Sequence, residues 1–289
     1  MKKNKFITKD KAIDNVKTTL KGFLIGIANI IPGVSGGTLA MTLGIYEKLI
    51  KILSNIKKNL KKNLSFLLYI IIGVLLAIGV GSYIIDYTFK HYQFITVLFF
   101  VGLIIGGIPL LYKKVEKKVF KIDNIITFII PFSIILLTTF MTNNFIVSFD
   151  NMNFVSYILL FLVGVLASAT MVIPGISGSL VLMLIGYYEP IISTLKNLFK
   201  LNDILNNLFI LIPFGIGILI GIILISKFID YALSKYKEKT YCAVLGFVIA
   251  SIVAIVYPLF SITVTTSSFV IAPMFLVIGF IIAYKLGEK

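Results

Sequence analysis

Ile31-Pro32-Gly33-Val34-Ser35-Gly36-Gly37-Thr38-Leu39 returns later in the chain as Ile173-Pro174-Gly175-Ile176-Ser177-Gly178-Ser179-Leu180-Val181. Each copy runs on through an apolar stretch to a matching end, Gly44-Ile45-Tyr46-Glu47 and Gly186-Tyr187-Tyr188-Glu189. The offset is constant at 142 residues, 174 against 32 and 189 against 47. Pro lacks an amide donor and Gly loses most entropy on ordering, so Pro-Gly-x-Ser-Gly interrupts a helix. Both interruptions nevertheless sit inside long apolar runs. In a membrane, broken backbone is tolerated only where it is buried in protein or lines a watery cavity. The two loops are therefore read as paired breaks at the centre of a membrane protein.

The bulk composition agrees. Hydrophobic residues make up 58 % of the 289 residues and charged residues only 13 %, against about half and a quarter in soluble domains. The mean hydropathy is +1.04. The chain contains no Arg and no Trp, so its 27 basic residues are all Lys, with a net charge of +15. These lysines punctuate apolar segments rather than striping one surface. They fit loops facing anionic membrane lipids and argue against a nucleic-acid partner. One cysteine, Cys242, excludes a disulfide framework, and one histidine, His91, has no second His with which to share a metal. No cofactor or metal site is expected.

Lysine placement sets the topology. Residues 1–21 hold seven lysines and form a basic cytoplasmic tail, since no small-residue cleavage site follows the first apolar run. A second cluster, Lys48 to Lys62, lies directly beyond the first broken run. Short lysine-rich loops stay on the cytoplasmic side. A re-entrant hairpin over 22–45 keeps both clusters there. Crossings are expected at 64–85, 94–112 and 125–142, then at 204–225, 241–260 and 269–284. The second broken run, 154–188, is read as another hairpin, although its first arm is long enough to span. One hairpin and three crossings per unit make residues 22–150 and 151–289 two inverted repeats, with both termini inside. Gly22 and Gly26 match Gly164 and Ser168, small residues that let membrane helices approach closely.

Inverted repeats with broken helices are the signature of secondary transporters, whose site lies at the midplane between repeats. Backbone amides and hydroxyls at the two loop tips can together hold an anion. The candidate anion-binding residues are Gly33, Ser35, Gly36, Gly37 and Thr38, with Gly175, Ser177, Gly178 and Ser179. Glu47 and Glu189 close the hairpins and are candidates for gating or proton coupling, because ionisable groups inside a membrane are expensive. Asn29 has Met171 as its counterpart, so any role would be one-sided. Tyr46 and Tyr188 read as headgroup-level belt residues. No nucleophile–base set or P-loop is present, so no enzyme is expected.

The stretch Gly26 to Thr38 with Gly44-Ile45-Tyr46-Glu47, and its second copy from Val172 to Glu189, resembles the PopT-type polyprenyl-phosphate translocases of bacteria and archaea. The resemblance covers nearly the whole chain from about Gly22. It implies recycling of undecaprenyl phosphate, a lipid carrier of cell-wall polymer synthesis, from the outer to the inner leaflet of the cytoplasmic membrane. The residues alone reach an anion pocket and not a polyprenyl tail. A small soluble anion, or a scaffold without transport, remains open on that ground. Nothing in the sequence sets the oligomeric state, and a homo-oligomer is compatible with it.

Overall fold

The computed structural model describes residues 2–30, 34–115, 121–141, 146–149 and 152–287. Among these the secondary structure is helical throughout. Helix α1 (Lys2–Ile30) joins the basic tail to the first apolar run without a break. Two short helices follow, α2 (Gly36–Thr42) and α3 (Tyr46–Ser54). Then come α4 (Ile56–Leu76), continued by a wider turn over Ala77–Gly81, α5 (Ser82–Val115) and α6 (Ile122–Phe140). The second half contains α7 (Phe154–Val172), α8 (Gly178–Leu184), α9 (Tyr188–Phe199), α10 (Ile204–Lys235), α11 (Lys237–Val256) and α12 (Thr266–Gly287).

The boundaries repeat. Helices α8 and α9 begin 142 residues after α2 and α3, and α12 begins 144 after α6. The spacing between matching helix starts thus widens by two residues between α9 and α12. Local geometry repeats with it. Gly44 (φ +72°) and Gly186 (φ +76°) end α2 and α8 in the left-handed conformation that a Cβ would strain. The next amides, Ile45 and Tyr187, donate back to Ala40 and Leu182 in the same pattern. Tyr92 breaks α5 at φ −140°, ψ 43°, and Tyr236 separates α10 from α11 at φ −128°, ψ 46°.

Packing follows the same plan. Without water to drive apolar faces together, helices in lipid associate by close van der Waals contact between small residues. Helix α1 lies on α4 with Gly22 against the Ile70 carbonyl and Gly73 against that of Thr19. Helix α7 lies on α10 with Gly164 against the Phe214 carbonyl and Gly217 against that of Phe161. The two halves of the chain are then laced together. Helix α5 packs on α12, where Gly102 meets the Leu276 carbonyl, and α11 packs on α6, where Gly246 meets that of Phe128. The fully buried core includes Leu39, Leu43, Leu103 and Val248, while residues such as Leu75, Val80, Leu219 and Leu224 face outward.

Seven helices among the described residues are long and apolar enough to cross a membrane. Six correspond to the expected crossings. The seventh is α7, the long first arm of the second broken run. The chain is an all-helical, multi-pass membrane protein.

Candidate functional site between two broken helices

Each break ends in a serine with extended backbone, Ser35 (φ −102°, ψ 126°) and Ser177 (φ −87°, ψ 122°). Their carbonyls accept the first helical bonds, from the Leu39 and Val181 amides at 3.2 Å. Neither hydroxyl caps the helix behind it. Ser177 Oγ instead lies 3.0 Å from Ser179 Oγ. After each break the chain turns back beside the helix it left. The Gly36 amide donates to Asn29 Oδ1 (3.2 Å), and a Cβ on Gly178 would lie 2.8 Å from Thr170 Oγ1.

The two tips touch. The Gly175 amide donates to Thr38 Oγ1 at 2.6 Å, and the Tyr46 hydroxyl donates to the Val172 carbonyl at 2.8 Å. A Cβ on Gly37 would stand 3.1 Å from the Met171 carbonyl. Between the tips is a cavity of about 380 Å³ lined by Ser35, Gly36, Gly37, Ser177, Gly178 and Ser179. Its remaining lining divides by polarity. Asn29 and Thr170 continue the polar side, whereas Ile25, Leu49, Leu53 and Ile176 are apolar. Asn29 and Met171 are exposed, Met171 by 54 %, so the cavity opens to the outside of the helix bundle.

Of the nine residues expected at the phosphate, six line this cavity. Thr38 and Gly175 instead bind each other and pin the tips together. Gly33 lies outside the described residues. Tyr46 corrects an expectation. It is 3 % exposed and holds the second tip from inside the protein rather than sitting at a headgroup belt. Thr170 also lines the cavity, and its counterpart 142 residues earlier is Ala28, so internal symmetry gives no signal for it.

Neither glutamate reaches the tip cavity. Glu47 lines a larger cavity of about 960 Å³ with Lys21, Lys48, Lys51, Lys58 and Lys114. Its carboxylate accepts from Lys114 Nζ at 3.1 Å and from the Tyr241 hydroxyl. Burial pushes the Glu47 carboxyl up, but the Tyr241 hydroxyl and Lys114 outweigh it and hold the group below its ordinary value. Glu189 is exposed and lines a third cavity of about 840 Å³ with Tyr157, Asn197, Asp203 and Asn207. These two cavities lie at opposite ends of α10. Asn207 lines one and Asp230 the other, about 34 Å apart at ~1.5 Å rise per residue.

A family model described as undecaprenyl phosphate translocase-like matches residues 25–270, a span that includes both loops. Two similar proteins are each named polyprenyl-phosphate transporter. That of Staphylococcus aureus is 35 % identical over 273 residues, covering 93 % of this chain and 95 % of its own. That of Vibrio cholerae is 27 % identical over 260 residues, covering 84 % and 78 %. No solved structure matches. With the family model spanning most of the chain, and a relative aligned over nearly its full length, the chain belongs to the undecaprenyl phosphate translocase-like family.

Proposed function

We propose that the protein transports polyprenyl phosphate across the cytoplasmic membrane and binds the phosphate between the two broken helices. The observation that carries this is the cavity in which serines and glycines of both repeats converge. Phosphate sites commonly use the planar fork of Arg, and this chain has none. Recognition then falls to the Ser35, Ser177 and Ser179 hydroxyls and to first-turn amides that have no acceptor within their own helices. The apolar lining of Ile25, Leu49 and Leu53, with the exposed Met171 beside it, suits a lipid chain better than a small soluble anion. The relatives' names support the same substrate.

The proposed architecture is two inverted repeats, residues 22–150 and 151–289, after a basic tail of residues 1–21. Two juxtapositions support re-entrant hairpins. Lys21 of α1 and Lys48 of α3, on either side of the first break, line one cavity. Tyr157 of α7 and Glu189 of α9, on either side of the second, line the cavity at the other end of α10. Both hairpins would thus return to the face they left, from opposite faces, with tips meeting between. Lysine-rich loops put the first of these faces in the cytoplasm, and recycling would run from the outer leaflet toward it. Anionic lipids would gather at that face. Glu47 and Glu189, one per vestibule, are placed to influence opening. No residue here is assigned to catalysis.

Two experiments test this. Ser35→Ala or Ser177→Ala removes one charge-assisted hydrogen bond, worth ~1.5–3 kcal/mol, and should weaken a short-chain prenyl phosphate about tenfold or more. Binding of the neutral prenol should stay unchanged; equal loss of both ligands would make the loops mere hinges. For topology, single cysteines at Lys17 and Lys58 in a Cys242→Ala background should resist an impermeant thiol reagent in intact cells, while one at Ser148 reacts. Labelling at 58 but not at 17 would mean that the first broken run crosses, and would overturn the inversion.

A further inference from the structure

We infer that the lysine-lined vestibule is a second phosphate-binding station, in which the Glu47 carboxylate holds the place of the ligand. This rests on the polyprenyl-phosphate reading above and extends it to a site that the tip residues do not form.

The fold brings lysines from four separate helices to one cavity. Lys21 comes from α1, Lys48 and Lys51 from α3, Lys58 from α4 and Lys114 from α5. Among the described residues two carboxylates, Glu47 and Asp230, line the cavity with these five lysines, so its lining is predominantly basic. Like charges gathered in a cleft repel one another and raise the local concentration of anions. The vestibule at the other end of α10 is the reverse. Among the described residues its lining includes Glu189 and Asp203 and no lysine.

Glu47 shows what such an anion would touch. One carboxylate oxygen accepts from both Lys114 Nζ and the Tyr241 hydroxyl. A phosphate monoester oxygen takes the same pair of donors. The ion pair is exchangeable, because Glu47 and Lys114 side chains are 36 % and 39 % exposed and such pairs contribute at most ~1 kcal/mol. Asp230 is otherwise occupied, accepting from Ser54 Oγ at 2.8 Å. The position of Glu47 links the two sites. Tyr46 lines the tip cavity and its neighbour Glu47 lines the vestibule, so the first turn of α3 divides them. A phosphate arriving from the tips would displace Glu47 from Lys114 and Tyr241. The returning carboxylate would then favour its release.

The test uses the full-length purified protein with farnesyl phosphate and inorganic phosphate as probes. Glu47→Gln removes the internal competitor and should tighten farnesyl phosphate at this station up to about fivefold, the equivalent of an exposed ion pair. Lys51→Gln with Lys58→Gln should weaken it and flatten its salt dependence; both lysines are exposed, so folding does not obscure the result. Lys114→Gln should abolish the advantage conferred by Glu47→Gln. Inorganic phosphate that competes assigns the station to the phosphate group alone, and failure to compete assigns it to the lipid-borne phosphate; both support it. Unchanged binding in the lysine variants, or weaker binding in Glu47→Gln, would overturn it. If Ser35→Ala and Ser177→Ala still weaken binding in that case, only the second station falls. If they too are silent, the tip site falls with it.

Discussion

Valine at Gly175 should remove most of the folded protein from the membrane. Gly175 holds φ +89°, a region that costs an L residue ~1–2 kcal/mol. A Cβ there would stand 2.6 Å from main-chain atoms of Phe247 in α11, which have no rotamer by which to yield. Overpacking of that kind adds ~1–3 kcal/mol. Together, at about 2–5 kcal/mol, these are a large fraction of the ~5–15 kcal/mol stability of an ordinary domain. The displaced loop would also lose the amide bond to Thr38 that pins the two tips. Gly215→Ala is the control. Nothing lies within 4 Å of its Cβ position on α10, so thermal stability and abundance should be unchanged or slightly raised. Normal abundance of Gly175→Val would show that the tip contact is dispensable.

The second large effect concerns ligand rather than fold. Gly36→Val and Gly178→Val should each abolish prenyl-phosphate binding while leaving the protein in the membrane. A Cβ on Gly36 falls 2.5 Å from Asn29 Oδ1, and one on Gly178 falls 2.8 Å from Thr170 Oγ1. Both obstacles are side-chain ends that can move, so the helices should survive. The rest of the valine would then fill a cavity of only about 380 Å³ and displace its polar wall. The loss should exceed that of either serine variant, which deletes one hydroxyl without obstruction. Retained, phosphate-selective binding in both valine variants would place the phosphate elsewhere.

Much of the architecture was legible in the sequence because it rests on local chemistry. Pro-Gly-x-Ser-Gly stops a helix wherever it stands. Apolar runs between lysines mark crossings by length alone, and Gly22 and Gly164 mark close packing through their missing side chains. The internal duplication made each of these readable twice. Long-range partners were not legible. Glu47 meets Lys114 and Tyr241 from two other helices, one in the opposite repeat, and nothing local announces either. Thr38 and Gly175 looked like two more phosphate ligands, since a hydroxyl and an amide are suited to that task. They satisfy each other instead. Tyr46 resembled a belt tyrosine by type and position, and only the fold shows that its hydroxyl is needed within the core. Helix α7 was ambiguous for a physical reason, as an arm of about 19 residues is near the ~20 that a crossing requires.

One phosphate held by both loops at once would couple Ser35 to Ser177. A double-mutant cycle over Ser35→Ala and Ser177→Ala measures this directly, with affinity for farnesyl phosphate and for farnesol determined in all four proteins. Groups that share a partner couple by ~0.5–3 kcal/mol, whereas distant ones add. Clear coupling is expected for the phosphate and none for the alcohol. Strict additivity for farnesyl phosphate, or equal losses for farnesol, would contradict it.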